Sequence, residues 1–198
     1  MSNENFTAEQ WIDYFLNKMK SGVSISVDEL RNVVKTISVK DPVAARDAVT
    51  IFYSGEGSEF PLRLSETAGG EIRMIDRTEA CKFLTHRDFG YIVDYAIKGE
   101  NEAARKDPEI LKSVRERVLY PGSEGSVAEG TWEASDGFWS IVSRRFASET
   151  SGDAYALVSN ALPDRIFATD ELKTLLETLP DEAKICGFDT AGGVVLTA

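Results

Sequence analysis

Apolar residues recur at helical spacing along the first third of the chain. In "TAEQWIDYFLNKMKSG", Trp11, Tyr14, Phe15 and Met19 fall at i, i+3, i+4 and i+8, one stripe of a helix. Thr7 with Gln10 three residues on has capping-box spacing, and Gly22 is a natural stop. "SVDELRNVVKTI" repeats the logic, with Ser26 and Glu29 as the box and Leu30, Val33, Val34 and Ile37 as the stripe. Asp41-Pro42 punctuates, and "PVAARDAV" predicts a short helix. "VTIFYSGEG", residues 49 to 57, changes character: β-branched and aromatic residues run into Ser-Gly, a strand entering a turn. "EIRMID" predicts a second short strand. "TEACKFLTHRDFGYIVDYAIKG" reads as mostly helical, with Phe89, Tyr91, Ile92 and Tyr95 as its apolar set. "PEILKSVRERVL" is a further helix, and "YPGSEGSVAEGT" is a Gly- and Ser-rich loop. Beyond residue 150 the runs "DAYALVSN", "DRIFA", "AKICGFD" and "GVVLT" are short, apolar and bounded by turn residues, with the helix "TDELKTLLETL" between the second and third. Strands alternating with helices predict an α/β fold: a helical N-terminal half packed on a small, mostly parallel sheet flanked by helices. Residues 1–45 read as a helical extension and residues 46–198 as the main domain.

Composition narrows the function. A chain of 198 residues with 42% hydrophobic content can bury a real core. A net charge of -11 repels a phosphate backbone, so no nucleic-acid partner is expected. The basic stretch at residues 104 to 120 alternates with acids and reads as a solvated helix face. Cys81 and Cys186 form no CxxC pair and point to a reducing compartment, with a single bridge as the alternative. "MSNENFTAEQW" lacks the basic and apolar regions of a secretory signal, and no run reaches the length of a membrane span. The expected location is the cytoplasm, or export without a signal peptide to act in the cytosol of a target cell. No membrane partner is expected. His86 is the lone histidine, no metal-ligand spacing occurs, and neither "AGGE" nor "SGEGS" continues into a P-loop.

The segment "DGFWSIVSRRFASETSGD", residues 136 to 153, reads as an amphipathic helix with two arginines in its middle. With Phe138 at zero and about 100° per residue, Val142, Phe146 and Trp139 fall between about 40° and 100°, and Ile141 near about 300°. Ser143, at about 140°, shares the margin of this stripe with Trp139. Arg145, at about 340°, falls inside the apolar arc and needs a carboxylate partner, whereas Arg144 points to solvent.

"FWSIVSRRFA" followed by "ALVSNALPDRIF" resembles the ADP-ribosyl cyclase / NAD glycohydrolase family, which includes the mammalian cyclic ADP-ribose hydrolase ectoenzyme. In that family an aromatic-Trp pair opens a helix reading x-S-R-R-F-A; a buried strand, a basic turn with Ile-Phe and a catalytic glutamate follow. This chain has Trp139, Ser143, Arg144-Arg145-Phe146-Ala147, a strand at 154 to 159, Arg165-Ile166-Phe167 and then Glu171. The likeness is close from Phe138 to Glu171 and looser from about residue 49 to 188. Tyr53 and Ser54 in "IFYSG" stand where the family has a second Trp and a Ser, and Asp76 with Thr78 where it has Glu in a Thr-Leu-Glu-x-Thr context. Gly55 replaces a phosphate-binding arginine, and the ectoenzymes' disulfides are missing.

The resemblance implies an ADP-ribosyl cyclase-like domain that cleaves the nicotinamide–ribosyl bond of NAD, with NAD as substrate and no cofactor or metal. Nicotinamide is already a cationic leaving group, so the chemistry asks for a carboxylate beneath the developing oxocarbenium ion. Glu171 takes that role, and its place in the first turn of a helix is expected to favour its ionised form. Trp139 and Tyr53 would stack on the nicotinamide and ribose. Ser54, Ser143 and Thr169 would donate to the pyrophosphate, Thr169 being alternatively a helix cap. Asp76, beside Thr78, would contact the nicotinamide amide or steer the intermediate toward water. Hydrolysis to ADP-ribose is favoured over cyclisation, and the setting suggests a microbial NAD-depleting toxin or effector with a neutralising immunity protein. The alternatives are an ADP-ribosyl cyclase and an inactive nucleotide- or protein-binding module.

Overall fold

Thr7 opens the first helix by a reciprocal cap. Its Oγ1 accepts from Gln10 N at 3.3 Å and Gln10 Oε1 accepts from Thr7 N at 2.8 Å, at the start of α1 (Ala8–Lys20). The computed structural model that shows this describes residues 6–46, 48–54, 69–120, 137–158, 170–188 and 195–197. The chain forms two compact units, one drawn from Met1–Ser38 and Glu79–Val142 and the other from Val39–Thr78 and Ser143–Ala198. These divisions fall at 38/39, 78/79 and 142/143, where the sequence suggested a single boundary at 45/46.

The first unit is helical. Helix α1 buries Ala8, Ile12 and Phe15; Trp11 is half-buried and stacks on Phe15, so the buried face is centred nearer Ile12 than the expected stripe. Gly22 ends the segment at φ 68°, a conformation glycine adopts without strain. In α2 (Val27–Thr36), Ser26 Oγ accepts from Glu29 N at 2.9 Å, and Leu30, Val33, Val34 and Ile37 are all buried as the pattern predicts. The segment from Thr78, mostly helical as expected, forms α3 (Glu79–Thr85) and α4 (Phe89–Glu100) with His86-Arg87-Asp88 between them. Helix α4 buries Phe89, Ile92, Val93, Ala96 and Ile97, whereas Tyr91 is 65% exposed and Tyr95 reaches out to Val23 O. The expected apolar set was therefore half right: two tyrosines were grouped with the core although their hydroxyls favour the rim. The remaining helices are α5 (Glu102–Lys106) and α6 (Pro108–Leu119), the latter capped by Asp107 and exposed along most of its length.

The second unit carries the sheet. Its strands are β1 (Val49–Ser54), β2 (Ile72–Met74), β3 (Ala154–Val158), β4 (Ile185–Phe188) and β5 (Val195–Thr197), in the order β2-β1-β3-β4-β5. The first four are parallel and β5 is antiparallel to β4, so the α/β architecture with a small, mostly parallel sheet is as expected. The "DRIFA" run and the Gly/Ser-rich loop from Pro121 on lie outside the described residues. The short helix expected from Pro42 does not form among the described residues there. Asp41 explains why: Oδ1 accepts from Val43 N at 3.0 Å and Oδ2 from Met74 N at 3.0 Å. Ala45 N then donates to Gly70 O at 2.8 Å, so part of this segment is held by distant partners. Gly70 is required at that approach, since a Cβ there would lie 2.9 Å from Val43 O.

One sheet face holds Ile51, Ile72 and Met74, with Tyr53, Tyr155 and Leu157 packed against them. On the other, Phe52 meets Phe146 edge-on, at 5.6 Å between centroids. Phe146 belongs to α7 (Phe138–Ser148), which leads through a short connection into β3. The register sets Ala156 beside Phe52 and Ala154 beside Thr50, so small residues on this face leave room for the helix. The last helix, α8 (Leu172–Thr178), buries Leu175.

Candidate functional site

The strand order creates a switch point. The chain leaves β1 toward β2 on one side and leaves β3 toward β4 on the other, so connections diverge beyond the carboxyl ends of the neighbours β1 and β3. Ligands of open α/β sheets bind in such crevices. Tyr53 lies in the register position next to the last residue of β1, opposite Leu157.

Phe146 of α7 meets Phe52 of β1, and Ser143 lies three residues before Phe146 on the same helix. Ser143 is buried, and its hydroxyl is one of the groups that act on the Glu171 carboxyl. Glu171 enters just before α8 and is also buried, at 7% exposed. Loss of water pushes its pKa up to about 7; the Ser143 hydrogen bond opposes the rise and the neighbouring Asp170 charge adds to it. Burial thus outweighs the helix-terminus effect expected to favour the ionised form.

Asp170 is the residue that the sequence reading missed. Its side chain is 8% exposed, and Arg144 Nη1 lies 3.6 Å from its Oδ1. Consecutive residues of α7 thus face consecutive residues ahead of α8: Ser143 with Glu171, Arg144 with Asp170. This corrects the placing of Arg144 in solvent. Arg145 is half-buried rather than buried; desolvation lowers its pKa and Glu149, one turn on, counters this. The signal for Asp170 was present, since an Asp-Glu pair ahead of a helix and a Ser-Arg pair within one can meet as two rungs.

The second pair joins Tyr53 and Asp76. Tyr53 donates to Asp76 Oδ2 at 2.5 Å, and Asp76 sits in the 3-10 turn Ile75–Arg77 that follows β2. The turn is secured by Thr78, which is fully buried and donates from Oγ1 to Ile75 O at 2.6 Å. Thr78 therefore shapes the turn that carries Asp76. Trp139 is half-buried one helical turn before Ser143 on α7, at i and i+4 of the same helix. Ser54 ends β1 in the backbone trace; its side chain, like the whole of Thr169, lies outside what is described.

No protein-family model matches this chain, and no curated protein matches it in sequence. Among the described residues, no group of three or more His, Cys, Asp or Glu could hold a metal ion, and no helix is long and apolar enough to cross a membrane. Neither Cys81 nor Cys186 is in a disulfide.

Proposed function

We propose that this chain is an ADP-ribosyl cyclase-like NAD glycohydrolase, cleaving NAD to nicotinamide and ADP-ribose. The observation that carries the reading is Glu171: a buried carboxyl, between β3 and β4 in the chain, whose ionised form the Ser143 hydroxyl favours. A carboxylate held away from water attracts a nearby cation far more strongly than a hydrated one. The substrate supplies that cation, first as the nicotinamide ring and then as the ribose oxocarbenium ion. The glycosidic bond breaks with its electron pair leaving on nicotinamide; water adds to the anomeric carbon and loses a proton, giving ADP-ribose.

In this scheme Glu171 holds the ribose hydroxyls and the developing charge, and Ser143 keeps its carboxylate aimed. The resemblance gives Trp139 the role of an aromatic face for the pyridinium. Tyr53 and Asp76 act as a hydrogen-bonded pair at the nicotinamide end. Depletion of NAD suits a toxin or effector held in check by an immunity protein, acting in the cytosol that contains the NAD. Chromatography of NAD incubated with the purified protein tests the reading. Nicotinamide and ADP-ribose are the expected products, with Glu171→Gln reducing turnover at least about 100-fold. Intact NAD after hours with the unaltered protein overturns it, and cyclic ADP-ribose as the main product would assign a cyclase instead.

A further inference from the structure

We propose that Asp41 is a positioning residue for the Tyr53–Asp76 pair, acting through the turn that carries Asp76 rather than on the substrate. Its side chain is fully buried, and one carboxylate grips the chain on both sides of Asp76. Oδ2 accepts from Met74 N at 3.0 Å, at the residue that leads into the 3-10 turn Ile75–Arg77. The same oxygen lies 3.5 Å from Nη1 of Arg77, the residue that ends the turn. Arg77 Nη1 also donates to Ile72 O at 3.1 Å, which ties the end of the turn back to β2. Oδ1 accepts from Val43 N at 3.0 Å, and this bond fixes the carboxylate itself. Met74 is fully buried on β2, which has β1 on one side and no strand on the other among the described residues. A buried N–H needs an acceptor, and here Asp41 supplies it. Between the two anchors stands Asp76, whose Oδ2 accepts from the Tyr53 phenol at 2.5 Å. Hydrogen bonds to carboxylates are short and directional, so the anchors decide where the Asp76 carboxylate meets the phenol.

The part this pair plays at the nicotinamide end rests on the NAD glycohydrolase reading; the anchoring by Asp41 does not. The test is therefore the carbon NMR position of the Tyr53 phenol in tyrosine-labelled protein, with Tyr53→Phe identifying the signal. Asp76→Ala marks where the signal lies once the phenol has lost its carboxylate. Asp41→Asn keeps the shape but turns one acceptor into a donor facing a backbone N–H, and should move the signal toward that position. In the Asp76→Ala background Asp41→Asn should leave the signal in place, since its effect runs through Asp76. Arg73→Met, which loosens β2 from its opposite face, should lower stability without moving the signal. A signal unmoved by Asp41→Asn, or moved equally in both backgrounds, overturns the proposal even if stability falls. Movement in Arg73→Met as large as in Asp41→Asn overturns it too. Should Asp41→Asn not fold, Asp41→Glu decides: it keeps the charge but displaces the carboxylate by a methylene, and an unmoved signal overturns the proposal. If the signal moves as stated but the unaltered protein leaves NAD intact, the anchoring stands and the NAD reading fails. If NAD is cleaved, Asp41→Asn and Asp76→Ala should each lower kcat/KM about 10-fold, and the double variant no further. Losses that multiply in the double variant overturn the route through Asp76.

Discussion

Tyr53 and Asp76 are joined by a hydrogen bond of 2.5 Å that follows from strand register. Ile51 pairs with Met74, so two residues further along each chain the end of β1 meets the turn after β2. The phenol gives the half-buried carboxylate a donor, while its ring packs on the Ile51 cluster. Removing the hydroxyl in Tyr53→Phe should cost about 1–2 kcal/mol in urea unfolding, because Asp76 loses its partner without regaining full hydration. Asp76→Asn keeps an acceptor for the phenol and should cost less.

Activity should depend on pH through Glu171. Its carboxyl titrates at about 7 and serves the proposed reaction ionised, so kcat/KM should rise as pH rises through that value and flatten above it. A profile already flat at pH 5 would contradict a buried, proton-retaining Glu171.

The same burial has a stability consequence with a definite sign. The folded-state pKa of about 7 lies above the ordinary value of 4.5, so between these values the native state holds more protons than the unfolded one. Stability should therefore fall as pH rises through that window, by about 3 kcal/mol in total from this group. Glu171→Gln removes the penalty: its Tm should exceed that of the unaltered protein at pH 8, with the difference vanishing near pH 4.5.

Arg73 offers a test of the helix-to-sheet joint. From β2 its Nη1 donates to Phe146 O at 3.0 Å and to Thr150 Oγ1 at 3.1 Å, with the guanidinium 4.0 Å from the Phe146 ring centroid. Arg73→Met retains bulk but not the donors, and a loss of about 2–3 kcal/mol is expected by chemical denaturation.

Local chemistry was readable where it acts over a few residues. The capping box at Thr7 and the stripe of α2 depend on spacing alone, and both stand in the structure. The parallel sheet followed from apolar runs alternating with helices. What failed was set by distant partners. The segment after Pro42 has helix-forming alanines, yet Asp41 bonds across to Met74 and the segment follows. Arg144 is polar on any helical projection; its partner Asp170 is remote in sequence, and no projection of a single helix could supply it. Glu171 was singled out by likeness to a family, but its protonation was misjudged, since burial is a property of the whole packed unit.

The proton retained by Glu171 also links binding to the solvent's buffering. A cation docked beside this carboxyl favours its ionised form, so at neutral pH association must expel a fraction of a proton. The heat measured by calorimetry then includes the buffer's own enthalpy of protonation. Titrations with a pyridinium ligand in phosphate and in Tris should differ accordingly, and those of Glu171→Gln should not.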